Sequence, residues 1–210
     1  LKGSAAAAAV LSSPLLPADA AFSETENGLF SPVSALCQTQ YGPVKGREGE
    51  NGQLSWYGIP YGAAPTGESR WTAPQEPARW HTVRDCTSPA PAAYQYTTFP
   101  LGTEDCLTLD IYSSAEAKKR PVLVYLHGSA ATGSSLELPG CELVRDAGCV
   151  FVALNYRLGL FGWNCLPALT ADPDVTGNFA LLDIARALDW VRDNIRRFGG
   201  AADNITLCGF

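Results

Sequence analysis

The sequence reads Pro-Val-Leu-Val-Tyr-Leu at residues 121–126 and Cys-Val-Phe-Val-Ala-Leu at residues 149–154. Both stretches are continuous apolar runs, as expected of strands that are buried on both faces of a parallel sheet. A third, shorter run follows at residues 205–208. Buried strands separated by longer segments predict that the second half of the chain builds a parallel α/β sheet.

A helix is predicted between the second and third runs, because apolar residues recur there every three or four positions. These residues are Leu181, Ile184, Ala185, Leu188, Val191 and Ile195. Thr176-Gly177-Asn178 precedes the pattern and Gly199-Gly200 ends it, as at many helix termini. A helix between two parallel strands makes a right-handed crossover, so we expect an α/β fold with a doubly wound, mostly parallel sheet.

The first half of the chain predicts a different local structure. Residues 40–61 alternate apolar, polar and glycine residues, which indicates short antiparallel strands in a small N-terminal hairpin layer. Residues 62–103 have no sustained period and predict an irregular, packed segment anchored by Trp71 and Trp80. The alternation over residues 107–111 then predicts a half-buried strand.

Composition limits the function classes. The 210 residues are 46% hydrophobic and 17% charged, which is typical of a globular domain. The formal net charge is −6 and the basic residues form no cluster, so neither nucleic acid nor an anionic membrane surface is an expected partner.

The first 21 residues differ from the rest of the chain. A lysine at position 2 precedes an Ala/Val/Leu stretch that ends in Ala18-Asp19-Ala20, the order found in secretory signal peptides. A flexible alanine-rich leader is the alternative, and the stretch is too short to be a transmembrane segment. We therefore divide the chain into a signal peptide or leader, residues 1–21, and a portion of a single domain, residues 22–210.

Cysteine usage favours an oxidising compartment. The chain has seven cysteines and only two histidines, His81 and His127, and no spacing typical of a zinc site. Disulfides are the expected use of some of these cysteines, and the odd count leaves at least one without a partner in the chain. Cys149 and Cys208 lie in apolar runs, where a buried cysteine acts as a small hydrophobe. The pairing stays open for Cys37, Cys141, Cys149, Cys165 and Cys208.

The active site of such a sheet lies beyond the carboxyl ends of the strands. The turn after Leu126 reads His127-Gly128-Ser129-Ala130-Ala131-Thr132-Gly133-Ser134. Small residues let the backbone approach a ligand, and successive N–H groups can stabilise an oxyanion. A plain strand-to-helix loop is the alternative.

The second turn of interest ends the sequence. Residues 203–210 form a strand-like run that leads into Gly209-Phe210. In a G-x-S-x-G nucleophile elbow, the first glycine lies two positions before the serine. Glycine is required there because the sharp turn leaves no room for a larger side chain. An ordinary strand end is the alternative.

The order and spacing of these elements resemble the type-B carboxylesterases and cholinesterases from Tyr41 to Phe210. The matching runs are Gly58-Ile59-Pro60-Tyr61, Arg70-Trp71, Glu104-Asp105-Cys106-Leu107, Asn155-Tyr156-Arg157-Leu158-Gly159, Gly177-Asn178, Leu182-Asp183, Asp189-Trp190-Val191, Phe198-Gly199-Gly200 and Asn204-Ile205-Thr206-Leu207. The resemblance implies the α/β-hydrolase fold, of which residues 22–210 would form the N-terminal portion.

The resemblance also implies a mechanism. A serine directly after Phe210 would attack an ester carbonyl, with a histidine base and an acidic residue later in the chain, so the 210 residues alone lack the catalytic triad. The oxyanion donors would be the N–H groups of Ser129 and Ala130, helped by Gly128. Because the histidine base would follow the serine in the chain, neither His81 nor His127 would be that base. His127 would then have a structural role, and His81 would lie on the surface. The expected partners are a small-molecule ester and the remainder of the hydrolase domain, with no metal or organic cofactor.

Two pairings are further implications of the resemblance. Cys86 and Cys106 would form the family's N-terminal disulfide, worth about 3 kcal/mol in the chain-entropy picture. Glu104 and Arg157 would take part in buried arginine–glutamate pairing.

The chain departs from the family where HGGGF is usual and this sequence has His-Gly-Ser-Ala-Ala. Backbone donors survive such a change only where the φ angles suit residues other than glycine. The departure favours an alternative, a non-catalytic cholinesterase-like binding or adhesion domain. The leader and the cysteines favour a secreted or periplasmic esterase, and an intracellular esterase with reduced cysteines is the competing localisation.

Overall fold

A computed structural model describes residues 33–169 and 177–210, and the predicted leader lies outside these residues. The strands are β1 (Leu36–Gln38), β2 (Pro43–Lys45), β3 (Arg47–Glu48), β4 (Gln53–Pro60), β5 (Arg84–Asp85), β6 (Gln95–Tyr96), β7 (Pro100–Leu101), β8 (Thr108–Ser114), β9 (Arg120–Leu126), β10 (Val150–Leu154) and β11 (Gly200–Gly209). The α-helices are α1 (Gly140–Ala147), α2 (Gly159–Gly162) and α3 (Phe179–Asn194). Short 3₁₀ turns lie at Glu50–Gly52, Gly67–Ser69, Pro167–Leu169 and Ile195–Phe198.

A six-stranded sheet carries the fold, in the order β11-β9-β10-β8-β4-β3. Strand β9 runs parallel to both β10 and β11, as the three apolar runs predict. Strands β8, β4 and β3 join the same sheet through antiparallel pairs. The predicted α/β class is confirmed. Of the strands within residues 40–61, β3 and β4 form an antiparallel hairpin that extends the central sheet, whereas β2 pairs antiparallel with β1 in a small separate sheet.

The two small sheets lie outside this sheet. β1, β2 and β5 form one, and β6 and β7 form an antiparallel hairpin. Apart from the two-residue strands β5, β6 and β7, residues 62–103 are largely irregular, as predicted. The indole of Trp80 anchors this segment by donating to the carbonyl of Pro43 at 2.9 Å and stacking on Tyr41.

Both faces of the central sheet are buried. On one face Trp56 packs edge-on against Phe198, with Trp190 beside them. On the other face Phe151 lies between Tyr112 and Tyr125. Because both faces are covered, the prediction of a half-buried β8 is wrong: its polar residues Thr108 and Asp110 are buried as well.

Helix α3 confirms the predicted helix and part of its apolar stripe, since Val191 and Ile195 are fully buried. Leu181, expected in the same stripe, is about half exposed, whereas Asp183, Ala187 and Trp190 are fully buried. The buried face therefore extends around the helix axis beyond the predicted stripe, on the side where Asp183 faces inward to pair with an arginine of the neighbouring loop. Gly199 ends the segment in the left-handed conformation.

Cys86 and Cys106, the pair that the resemblance implies as a disulfide, are both buried and carry free thiols in this structure. Their pairing stays a prediction.

Candidate functional site

The two turns singled out in the sequence lie side by side. β11 pairs with β9 so that Gly209 stands opposite Leu126, and the chain leaves both strands at the same end of the sheet. A Cβ atom added to Gly128 would lie 3.1 Å from the carbonyl oxygen of Phe210. Only glycine fits at position 128 without displacing the backbone that leads into the predicted nucleophile elbow.

Ser129 takes over the role of a glycine in the loop. Its φ of 72° is left-handed, a conformation that costs a residue with a Cβ about 1–2 kcal/mol. Its own hydroxyl oxygen offsets this cost by accepting the N–H groups of Ala131 at 3.1 Å and Thr132 at 3.3 Å. The predicted change in this loop is therefore compensated locally, and the turn keeps its course without the glycine.

The two proposed oxyanion donors are available for a ligand. Among residues 33–169 and 177–210, the N–H groups of Ser129 and Ala130 have no hydrogen-bond partner. The carbonyl of Ala130 accepts the N–H of Gly159 at 2.7 Å, at the start of α2. That bond fixes the peptide that follows Ala130. Ser129 and Ala130 are both exposed, and they follow Gly128, which lies against Phe210.

His127 is buried at the start of this loop, as expected of a structural residue. Its imidazole stacks on Tyr156 with ring centroids 4.3 Å apart and planes 7° apart. The hydroxyl of Tyr156 donates to the His127 carbonyl at 2.6 Å. Burial lowers the pKa of His127, so the ring is neutral at pH 7. The other histidine, His81, is exposed, as predicted.

The far end of the loop is held at Gly133, by a residue that the sequence did not suggest. The side-chain amide of Gln95 donates to the Gly133 carbonyl at 2.9 Å and accepts the Gly133 N–H at 3.0 Å. Gly133 itself has a φ of 133°, and a Cβ there would meet the imidazole of His127.

Behind the loop lies a buried polar network that begins at Asn155. The Asn155 side chain accepts the Ser135 N–H at 2.9 Å and donates to the Ser135 hydroxyl at 3.1 Å. The Ser135 hydroxyl donates in turn to Asp110 at 2.7 Å, and the other Asp110 oxygen accepts the N–H of Gly58 at 2.8 Å. Burial raises the pKa of Asp110 to about 6, although both hydrogen bonds oppose the rise.

We expect Asp110 to make stability fall with rising pH. The folded protein keeps a proton on Asp110 up to about pH 6, whereas the unfolded chain loses it near pH 4, so the free energy of unfolding declines between these values. Asp110→Asn should remove up to about 3 kcal/mol of this decline. Urea unfolding at pH 4.5 and pH 7.5 measures it, with Asp146→Asn as the exposed control. Parallel pH profiles for wild type and Asp110→Asn would contradict the assignment.

A buried ion pair supports the loop that follows β10. Arg157 binds Asp183 through two side-chain contacts of 2.6 and 2.8 Å, and both side chains are almost completely buried. The same guanidinium donates to the carbonyls of Arg70 and Thr72, each at 3.0 Å. The predicted involvement of Glu104 with Arg157 is wrong, because Glu104 pairs with Arg70 instead, at 2.5 and 2.9 Å.

In the part of the chain that the structure describes, no three His, Cys, Asp or Glu side chains are grouped closely enough to hold a metal ion. In the same part, no helix has the length and hydropathy needed to cross a bilayer.

Comparisons with known proteins agree with this geometry. Residues 33–210 match the model of the carboxylesterase family. Over 186 residues the chain is 40% identical to para-nitrobenzyl esterase of Bacillus subtilis, covering 83% of this chain and 37% of that protein. It is 36% identical over 184 residues to fumonisin B1 esterase of Sphingopyxis macrogoltabida, covering 81% of this chain and 34% of that protein.

Solved structures give the same result. A para-nitrobenzyl esterase superposes with a TM-score of 0.76 at 40% identity, and a carboxylesterase of Geobacillus stearothermophilus with 0.77 at 39%. Each alignment covers 83% of this chain and 37% of the other. The chain thus spans little more than a third of the length of these relatives. From residue 33 to residue 210, it belongs to the carboxylesterase family.

Proposed function

We propose that the protein hydrolyses carboxylic esters through a serine directly after Phe210. The observation that carries the proposal is the contact between the two turns, in which Gly128 lies against the Phe210 carbonyl and the free N–H groups of Ser129 and Ala130 follow at once. A serine at the next position would stand beside two donors aimed at a developing oxyanion. The esterases with which the chain aligns support the same reaction.

The reaction proceeds in two steps. The serine hydroxyl attacks the ester carbonyl while a histidine takes its proton, and the carbonyl oxygen gains the negative charge that the loop N–H groups stabilise. Collapse of the intermediate breaks the bond between the carbonyl carbon and the alcohol oxygen, and the histidine returns the proton to the departing alcohol. Water then repeats the sequence on the acyl-enzyme and releases the acid.

Labelling with a fluorophosphonate tests this proposal. The reagent phosphonylates an activated serine, and mass spectrometry of the peptide that begins at Asn204 locates the modified residue. We expect the label on a serine next to Phe210, with complete loss of ester hydrolysis. An unlabelled protein, or another residue after Phe210, would instead support the non-catalytic binding domain. The compensated turn at Ser129 removes the sequence feature that favoured that alternative.

We propose further that the protein is exported. The order of a basic residue, an apolar stretch and a small-x-small end in residues 1–21 supports a secretory leader, ahead of one hydrolase domain that begins near residue 22. Amino-terminal sequencing of the mature protein tests export, and a first residue near Ala21 is the expected result.

A further inference from the structure

We infer that Gln95 is a positioning residue for the oxyanion loop, acting through Gly133. The inference rests on the proposed ester hydrolysis, in which this loop supplies the oxyanion donors. Gln95 belongs to β6, far from the loop in sequence, and its side chain is buried. Its amide makes a two-way hydrogen bond with a single residue of the loop, which fixes both the N–H and the carbonyl of Gly133.

The geometry around Gly133 transmits this constraint. The space beside its Cα is filled by the imidazole of His127 and by the carboxylate of Glu137, so a Cβ at this position would overlap both groups. Gly133 therefore cannot shift toward His127, and the Gln95 amide prevents its movement in the direction of the backbone bonds. A second bond from the same amide, to the Ala93 carbonyl at 3.1 Å, holds the glutamine side chain itself in place.

The loop between these anchors is held at one further point described above, the Ala130 carbonyl, which accepts the N–H of Gly159. Tyr156 holds the His127 carbonyl at its start, and Gln95 holds Gly133 at its close. The oxyanion donors Ser129 and Ala130 lie between the two anchors, in exposed backbone. Loss of the Gln95 anchor should let these N–H groups move relative to Phe210, and a misplacement of about 1 Å in a catalytic site can cost up to about 100-fold in rate.

Two substitutions test the inference in the full-length protein with a chromogenic p-nitrophenyl ester. Gln95→Met keeps the approximate shape of the side chain and loses both hydrogen bonds to Gly133, together with the bond to the Ala93 carbonyl. Gln95→Glu can replace both bonds only when its carboxyl group is protonated, because an ionised carboxylate cannot donate to the Gly133 carbonyl. We expect each variant to lower kcat about tenfold at pH 7.5 with KM changed by less than roughly twofold.

The pH profile separates positioning from a general loss of structure. The kcat ratio of Gln95→Glu to wild type should rise as the pH falls and the carboxyl group binds a proton. His127 and Glu137 face the same glycine in wild type and in both variants, and the Gln95→Met ratio reports any contribution that they make without a new carboxyl group. The ratio for Gln95→Met should not change with pH.

Rates are divided by the concentration of serine that fluorophosphonate labels at completion, so that unfolded molecules are not counted. The matched control is Gln75→Met, because the Gln75 side chain is exposed and its amide, among the described residues, donates to the nearby Ala73 carbonyl and to no part of the loop. Wild-type kcat in both Gln95 variants, or a pH-independent ratio for Gln95→Glu, would overturn the inference alone. A wild-type protein without ester hydrolysis would overturn the proposed function and this inference together.

Discussion

Replacement of Gly128 by valine is expected to lower kcat for ester hydrolysis about 100-fold in the full-length protein, with little change in stability. The Cβ of the new residue would lie 3.1 Å from the Phe210 carbonyl oxygen, closer than a carbon normally approaches, and its methyl groups need further space. The side chain of Phe210 is fully exposed and can swing away. Its backbone cannot, because Gly209 is paired with β9.

The effect should be specific to position 128. Gly49→Val is the matched control, because a Cβ there makes only ordinary contacts at 3.5 Å or more, at an exposed position distant in sequence from both turns. Steady-state kinetics and the rate of fluorophosphonate labelling should fall together for Gly128→Val, while the midpoint of urea unfolding stays near that of wild type. Equal kcat for the two valine variants would show that the elbow and the oxyanion loop are not in contact.

Substitution of Asp183 by asparagine should destabilise the protein by about 3 to 5 kcal/mol, a large part of the stability of an ordinary domain. The change keeps the size of the side chain but leaves the charge of Arg157 without a counterion in an environment from which water is excluded. Both contacts of 2.6 and 2.8 Å then join a full positive charge to a neutral amide. Desolvation of the unpaired guanidinium is the source of the cost.

An exposed ion pair provides the comparison. Arg145 and Asp146 form a contact of 2.7 Å with side chains 61% and 67% exposed, so Asp146→Asn should leave the free energy of unfolding near that of wild type. Urea unfolding of both variants, followed by tryptophan fluorescence, measures the difference. Similar midpoints for the two asparagine variants would mean that Arg157 is hydrated in solution, contrary to its buried position.

The sequence predicts best the parts of this fold that depend on local pattern. The runs at residues 121–126 and 149–154 predict strands because short continuous apolar segments are typical of strands buried on both faces of a sheet. The observed strands, Arg120–Leu126 and Val150–Leu154, differ from these bounds by one residue each. The predicted helix is present, but the part of its buried face that carries Asp183 was missed, because an aspartate looks like a surface residue until its partner is known. Nothing in the periodicity of the helix indicates that Asp183 binds an arginine 26 positions away in sequence.

The same limit applies to the site. The loop after β9 and the terminal Gly209-Phe210 were identified from their residue types, because small residues after buried strands are a local feature. Gln95 was missed, since nothing in an irregular segment marks one glutamine as the partner of a glycine 38 positions later. The Cys86–Cys106 pairing stays a prediction for a related reason: the positions of two cysteines in the sequence give no measure of the distance between them in the fold.

The strand order has a consequence for synthesis on the ribosome. β8 and β9 are joined by a short connection, yet β10 lies between them in the sheet. A growing chain therefore produces β9 with neither of its final neighbours, and residues 126–150 take about 1 to 5 s to follow at ordinary rates of translation. During that interval the apolar edges of β8 and β9 are open to other nascent chains. We expect chaperone binding at this stage of elongation to raise the yield of folded protein, because it would cover these edges.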